Sequence, residues 1–96
     1  MELLTDEAIK NELKELPKWE LVNEKWLERK FNFNKYLSGI AFVQDVAEYA
    51  QEKKHHPIIK IDHTTVTLSI SSIEMDGLTD LDFKMVKHFN QLFKEI

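Results

Sequence analysis

The fold of this chain is decided by the stretch QEKKHHPIIKID, residues 51–62, in which a helical pattern gives way to a strand pattern. Before this stretch, apolar residues recur three and four positions apart, and after it, β-branched residues alternate with polar ones. Pro57 disfavours helical geometry at His56, so we expect the helix to end about there. The adjacent pair His55-His56 is therefore predicted to lie at a turn from a helix into a strand.

Two interpretations of this histidine pair follow from its position. Histidine has an unperturbed pKa close to neutral pH, so two oriented imidazoles could give and take protons in a reaction. Alternatively, the two side chains could form a solvated helix end, where cationic groups meet the negative end of the helix dipole. From the spacing alone, the solvated helix end is the simpler interpretation.

The helix before the pair is predicted over 35–54, with Asn34 as its N-terminal cap. Its apolar residues fall in two stripes. The stripe predicted to face the core consists of Tyr36, Ile40, Val43, Ala47 and Ala50. The second stripe, well round the helix, consists of Phe42, Val46 and Tyr49. One sheet face cannot cover both stripes, so we expect the second to pack against another subunit, although elements of the same chain could also cover it.

A β-hairpin is predicted on each side of the long helix. In the first, apolar residues alternate over 19–33 around a turn at Asn23-Glu24. In the second, the alternation over 58–71 is broken near His63. An antiparallel four-stranded sheet is the simplest arrangement of these two hairpins.

Further helices are predicted at the two ends of the chain. Thr5 can cap a first helix that Pro17 ends, and Thr79 can cap a last helix with Asp82 in the capping-box position. The inner face of the last helix is expected to consist of Phe83, Val86, Phe89, Phe93 and Ile96. The resulting order, α-β-β-α-β-β-α, predicts one α+β domain over 1–96, a four-stranded antiparallel sheet with three helices packed on one face.

Composition argues against several classes of function. The net charge of −4 disfavours nucleic acid as a partner, because phosphate binding needs a basic face. No apolar run approaches the ~20 residues that cross a bilayer, and the acidic start of the chain does not resemble a signal peptide. The absence of cysteine makes disulfides and thiolate chemistry unavailable. We expect a cytoplasmic protein that binds neither nucleic acid nor membranes.

The polar residues that could converge on one cleft lie at the ends of the predicted elements. They are Gln51, His55, His56, Ser71, Ser72, Glu74 and Asp82. Gln51 precedes His55 by one helical turn on the same face, and Asp82 has a simpler structural interpretation as the capping-box residue. His63 and nearby carboxylates could add metal ligands, but the spacing matches no standard zinc pattern, so no metal site is predicted. His63 is most simply a turn residue, and His88 is expected to be solvated.

The chain resembles the pterin-4a-carbinolamine dehydratases over most of its length, most densely over 50–82. The residues that carry the resemblance are His55-His56-Pro57, Val66-Thr67-Leu68-Ser69, Gly77-Leu78-Thr79 and Asp82. The distance from the histidine pair to the Gly-Leu turn matches that family without a gap. The resemblance implies the element order given above and assembly as a homodimer or homotetramer.

Members of this family remove water from 4a-hydroxytetrahydropterin to give quinonoid dihydropterin, which recycles the pterin cofactor after aromatic amino acid hydroxylation. The resemblance implies the same activity here, with the pterin as substrate and with no metal or organic cofactor. It implies that His55 and His56 hold the acid and base roles, that Pro57 shapes the site, and that Asp82 orients a group in it. The other substrate-binding residues that it implies are Gln51, Ser72, Ile73, Glu74 and Met75.

Three positions depart from the family pattern. An acidic residue is usual where Gln51 stands, an aromatic residue where His63 stands, and a third histidine or a tryptophan where Ile73 stands. Isoleucine cannot transfer a proton, and a missing general acid or base typically lowers a rate by ~10²–10⁴. Three hypotheses of different classes follow: a dehydratase, a non-catalytic pterin-binding or oligomeric scaffold protein of the same fold, and a metal-binding protein.

Overall fold

Three helices and four strands follow one another in the predicted order in a computed structural model that describes residues 2–96. The elements are α1 (Asp6–Leu13), β1 (Glu20–Val22), β2 (Trp26–Asn32), α2 (Tyr36–Lys53), β3 (Ile58–Asp62), β4 (Thr65–Ile70) and α3 (Asp80–Lys94), with a short 3-10 turn at Ile73–Met75 between β4 and α3. The predicted fold class, an α+β domain with an antiparallel sheet, is confirmed. No helix in this described part of the chain is both long and apolar enough to cross a membrane.

The four strands form one antiparallel sheet in the order β1-β2-β4-β3. In the central pair, Leu27 lies opposite Ile70 and Phe31 opposite Val66, and all four side chains are fully buried. The alternate residues, which point to the other face, are polar, as in the pairs Glu28 with Ser69 and Lys30 with Thr67. The helices therefore pack on one face only, and the other face of the sheet is open.

The two apolar stripes of α2 are oriented largely opposite to the prediction. Phe42 and Val46, from the stripe predicted to pack elsewhere, are buried in the core, whereas Tyr36 and Ala47, from the stripe predicted to face it, are exposed. Of that predicted stripe, only Ala50 is buried as predicted. The physical reason is aromatic packing. The Phe42 ring lies between 4.8 and 5.9 Å, centre to centre, from three other rings, those of Phe31, Phe33 and Phe93.

Gly39 allows α2 to lie this close to the sheet. A Cβ atom at this position would stand 3.3 Å from the Phe33 ring and 3.4 Å from a Val66 methyl group, a tight fit on both sides. Spacing alone could not choose between the two stripes, because both have helical periodicity. The fit of the Phe42 ring, together with the small Gly39 beside it, decides which stripe faces the sheet.

Two of the three predicted helix starts are confirmed. Thr5 Oγ1 accepts a hydrogen bond from the Ala8 N–H at 3.1 Å, and α3 begins with the capping box of Thr79 and Asp82. The prediction of Asn34 as the cap of α2 was wrong. The last extended residue before that helix is Lys35, one position further on, and no side chain caps it.

The end of α2 also differs from the prediction in its cause. The helix ends at Lys53 because Lys54 adopts the left-handed conformation, with φ 55° and ψ 38°. The N–H groups of Lys54 and His55 then close on carbonyl groups of the last helical turn, those of Gln51 and Ala50. Pro57 lies three residues further on, so both histidines belong to the connection into β3 and not to the helix.

The inner face of α3 is largely as predicted. Phe83, Val86 and Phe89 are buried, and Met85 joins them although the pattern did not indicate it. Ile96 was predicted on this face but is exposed. The prediction that His88 is solvated was also wrong, because its ring stacks on that of Tyr49 of α2, with centroids 3.8 Å apart and an interplanar angle of 19°.

Candidate functional site

A cleft of about 440 Å³ opens where the connection after α2 meets the end of β4 and the start of α3. The residues that line it are Lys53, Lys54, His55, His56, Ser71, Ser72, Ile73, Glu74, Met75 and Leu81. The three segments are remote in sequence, and the antiparallel β3–β4 hairpin brings the first two together at one end of the sheet. This is the end at which the sequence placed its candidate polar residues.

Asp82 lies beneath the floor of the cleft and is fully buried. Its Oδ2 accepts hydrogen bonds from the Ser72 hydroxyl at 2.7 Å and from the Thr79 backbone N–H at 2.9 Å. The Ser72 and Thr79 hydroxyls are 2.9 Å apart and complete the cluster. The capping box thus fixes the carboxylate in place, and burial of this polar group is compensated by several donors.

The other oxygen of Asp82 contacts the first histidine. His55 Nε2 lies 2.6 Å from Asp82 Oδ1, and 16% of the His55 side chain is exposed. An ionised carboxylate can only accept a hydrogen bond, so beside it a neutral imidazole carries its proton on Nε2 and has a free lone pair on Nδ1. The imidazole is therefore held in one orientation and one tautomer at the edge of the cleft.

The second histidine has a different partner. His56 Nε2 lies 2.9 Å from Gln51 Oε1, and both side chains are exposed. Gln51 was predicted to share a helical face with His55, but the left-handed turn at Lys54 brings His56 to it instead. Gln51 lies outside the set of residues that line the cleft, so it contacts the site through His56.

The rim of the cleft opposite the histidines is the 3-10 turn. Ile73 is 70% exposed there, and Glu74 beside it is also exposed. The turn is closed by Asp76, which is left-handed at φ 57°, and by hydrogen bonds between Ser72 and Gly77. The position where the family pattern has histidine or tryptophan is therefore at the cleft, but it presents an aliphatic side chain.

The remaining predicted positions lie around the cleft or away from it. Pro57 is half-buried and does not line the cleft. His63 is exposed and left-handed at φ 51° in the turn between β3 and β4, as expected of a turn residue. Over residues 2–96, no group of three or more histidine, aspartate or glutamate side chains is arranged to hold a metal ion.

Several residues of the site were not indicated by the sequence. Thr79 was recognised as a helix cap, but not as a partner of Ser72 in the hydrogen-bond cluster. Lys53, Lys54 and Leu81 line the cleft and were not predicted to. The two lysines directly precede the histidine pair, so a search of the residues flanking that motif would have found them.

A second polar cluster lies about two turns further along α3 than Asp82. Asn90 Oδ1 accepts hydrogen bonds from Trp19 Nε1 and from Arg29 Nη1, each at 2.8 Å. The Arg29 guanidinium also lies over the Phe31 ring, 4.2 Å from its centroid. Burial lowers the pKa of Arg29, and its Nε atom is buried without a hydrogen-bond partner among the described residues.

The sequence of this chain is similar to those of a known protein family. A family model described as pterin 4 alpha carbinolamine dehydratase matches residues 2–92. A Picosynechococcus protein provisionally assigned as a pterin-4-alpha-carbinolamine dehydratase is 36% identical over 89 residues, which cover 93% of this chain and 96% of that relative.

Two solved structures have the same fold. A transcriptional coactivator/pterin dehydratase from Brucella melitensis superposes with a TM-score of 0.90 at 26% identity, covering 95% of this chain and 98% of its own. A pterin dehydratase-like protein identified as a RuBisCO assembly factor in the alpha-carboxysome superposes with a TM-score of 0.68 at 19% identity. The superposition covers 79% of this chain and 89% of that protein. The second likeness shows the fold alone.

Proposed function

Because the chain belongs to the pterin 4 alpha carbinolamine dehydratase family, we propose that it dehydrates a 4a-hydroxytetrahydropterin to the quinonoid dihydropterin. The single observation that best supports this activity is the contact of 2.6 Å between His55 Nε2 and the fully buried carboxylate of Asp82, at the edge of a cleft. The pattern of a base held by an orienting carboxylate is one that proton transfer requires.

The reaction needs two proton transfers. A ring N–H of the substrate loses a proton, the C4a–O bond breaks, and the departing hydroxide takes up a proton to leave as water. In the proposed mechanism, His55 accepts the ring proton at Nδ1, while Asp82 keeps the imidazole in the required tautomer. His56, whose Nε2–H donates to Gln51 Oε1, reacts in its protonated form and gives the proton on its Nδ1 to the departing oxygen, and the proton gained by His55 returns to His56 through solvent before the next turnover. No metal or organic cofactor takes part in this proposal.

A second candidate function is supported by one position. Ile73 is 70% exposed at the rim and supplies no imidazole where the family pattern has histidine or tryptophan. A chain that keeps the cleft but lacks this group could bind a pterin, or serve as an oligomeric scaffold, without turning the pterin over. The assembly factor of the same fold at 19% identity shows that this architecture is found in a protein described by another role.

The two candidates are separated by stopped-flow measurement of 4a-hydroxytetrahydropterin decay with and without the protein. We expect acceleration by the wild type, a loss of ~10²–10⁴ in His55→Ala, and a smaller loss in His56→Ala, whose partner is a neutral amide. His63→Asn is the matched control, because it removes an exposed histidine outside the cleft and asparagine tolerates the left-handed conformation. If the protein does not make 4a-hydroxytetrahydropterin decay faster than it does spontaneously, the dehydratase proposal is overturned. Pterin binding by that inactive protein would then support the non-catalytic alternative.

We also propose that the chain forms a homodimer or homotetramer through the exposed side of α2. This α2 surface consists of the exposed residues Tyr36, Leu37 and Ala47 and the half-buried residues Ile40 and Val43 at its border. Leu37 is 73% exposed, and a large apolar group at such exposure is typical of an interface when others adjoin it. Sedimentation analysis should show an oligomer that Leu37→Glu weakens and that Ile96→Glu, which changes an exposed apolar residue elsewhere, leaves intact.

A further inference from the structure

The charge at the rim of the cleft is opposite to that of the whole chain. The sequence has 17 acidic and 13 basic residues, with a net charge of −4. Among the residues that line the cleft, however, there are two ammonium groups, those of Lys53 and Lys54, and one carboxylate, that of Glu74. The Asp82 carboxylate beneath the floor is already in contact with His55. The rim is therefore a local site for an anion on a protein that otherwise repels anions.

Lys54 contributes a side chain to this rim from the turn that ends α2. Its left-handed conformation, φ 55° and ψ 38°, is the one that helix ends usually assign to glycine. A side chain in this conformation crowds the following carbonyl oxygen, a cost that glycine avoids. Within residues 2–96, the Lys54 ammonium makes no ion pair. Other non-glycine residues share this conformation at turns, among them Asn23 and His63. What marks Lys54 as a candidate ligand contact is its unpaired ammonium at the rim of the cleft.

Lys53 provides a second cation on the same side of the site. Its Nζ lies 5.6 Å from the centroid of the Tyr49 ring, a cation–π contact that limits where the ammonium can go. A tyrosine is uncharged at neutral pH, and burial, followed by the charge of Glu52, raises the pKa of Tyr49 further. Tyrosine therefore positions the Lys53 ammonium without neutralising it.

We propose that Lys53 and Lys54 bind a phosphate monoester on the side chain of the substrate, so that the cleft favours a phosphorylated pterin over an uncharged one. The inference rests on the proposed function, which places the pterin ring at His55, and extends it to the part of the substrate outside the ring. A phosphate monoester is close to dianionic at neutral pH and matches two ammonium groups. Lysine is a common phosphate ligand because it presents a compact point charge.

The test compares two ligands that differ by one phosphoryl group. A 7,8-dihydropterin with a hydroxylated side chain and the phosphate monoester of the same compound are titrated into the whole protein, with pterin fluorescence as the readout. We expect the ester to bind about tenfold more tightly at low salt, since two charge contacts of partly exposed groups are worth about 1–2 kcal/mol. The preference should fall as salt is raised toward 1 M, where the Debye length is about 3 Å.

Lys54→Gly is the informative variant. It removes the ammonium but gives the left-handed position its preferred residue, so its melting temperature should be no lower than that of the wild type. We expect its preference for the ester to fall to about twofold or less. Lys14→Gln removes a lysine from the end of another helix, outside the cleft, and should keep the full preference.

Each outcome decides the proposal. Equal binding of the two ligands, or an unchanged preference in Lys54→Gly, overturns the phosphate site while the dehydratase proposal stands on its turnover of the uncharged substrate. Failure of the protein to bind either ligand overturns both proposals. A tenfold preference that is lost with Lys54, and kept without Lys14, supports the site.

Discussion

The two polar clusters of α3 are built from the same kinds of contact but differ in what they can do. The cluster around Asp82 joins residues from the end of β4 and from the connection after α2, and its outermost member, His55, lines the cleft. The cluster around Asn90 joins Trp19 and Arg29, and none of these three residues lines the cleft. Each has a central acceptor on α3 that receives hydrogen bonds from remote segments of the chain.

The difference lies in charge and access. Asp82 presents a carboxylate to a histidine, a side chain that can change its protonation and that is partly exposed at the cleft, so the cluster could pass on a proton or hold a base. Asn90 presents a neutral amide oxygen to two donors that keep their protons, so it can only hold segments together. A buried polar cluster is therefore a candidate for catalysis only where one member is titratable and open to a cleft.

The largest expected effect is on the rate of dehydration, when the charge of the cluster around Asp82 is removed. Asp82→Asn keeps the shape of the side chain, but its amide would donate to His55 Nε2 and impose the other tautomer. We expect dehydration to slow by about 10²–10⁴, measured by stopped-flow decay of the carbinolamine. Asp80→Asn, an exposed carboxylate in the same first turn, is the control and should stay near the wild-type rate. A rate within about tenfold of the wild type in Asp82→Asn would remove the distinction between the clusters.

An intermediate effect, on stability alone, is expected from the second cluster. Asn90→Ala leaves the Trp19 and Arg29 donors without their shared acceptor, which should lower the free energy of unfolding by about 2–4 kcal/mol. Urea denaturation followed by tryptophan fluorescence measures it, with Asn11→Ala as an exposed control. Turnover per folded molecule should be unchanged. A large loss of turnover would show that this cluster also takes part in the reaction.

The smallest effect concerns the Tyr49–His88 stack, which reaches α3 between the two clusters. Burial, then the Glu52 charge, raises the pKa of Tyr49 in the folded protein. As the pH rises, the Tyr49 hydroxyl therefore loses its proton in the unfolded chain first, at about pH 10. The contribution of this group to the free energy of unfolding is fully present below that pH and decreases above it. Urea midpoints between about pH 8 and 11 should fall less steeply in Tyr49→Phe than in the wild type. Tyr36→Phe, on the exposed α2 surface, should keep the wild-type slope, and equal slopes in all three proteins would refute the assignment.

Much of the fold and part of the site were predictable from local patterns. The capping box at Thr79 and Asp82 lies within four residues, so the sequence could place the carboxylate at a helix start. The turn residues His63 and Asn23, both left-handed, were predicted for the same local reason. These features depend on neighbours along the chain, which the sequence displays directly.

The rest depends on contacts between remote residues. Which stripe of α2 faces the sheet was decided by the fit of Phe42 among rings from β2 and α3. The bond from Trp19 to Asn90 joins residues 71 positions apart, and no periodicity indicates it. The partner of Gln51 changed because one residue, Lys54, is left-handed, a choice that spacing does not reveal.

The order of strands in the sheet has a consequence for how the chain reaches this structure. The central pair is β2 with β4, and the whole of α2 and β3 lies between them in sequence. The core cannot form until β2 and β4 have paired and closed a long loop. Closing this loop lowers the entropy of the chain before stabilising contacts can form. During synthesis, the first half of the chain therefore cannot form the core until β4 has been made. Once complete, the domain should fold as one unit, with tryptophan fluorescence and circular dichroism reporting the same transition.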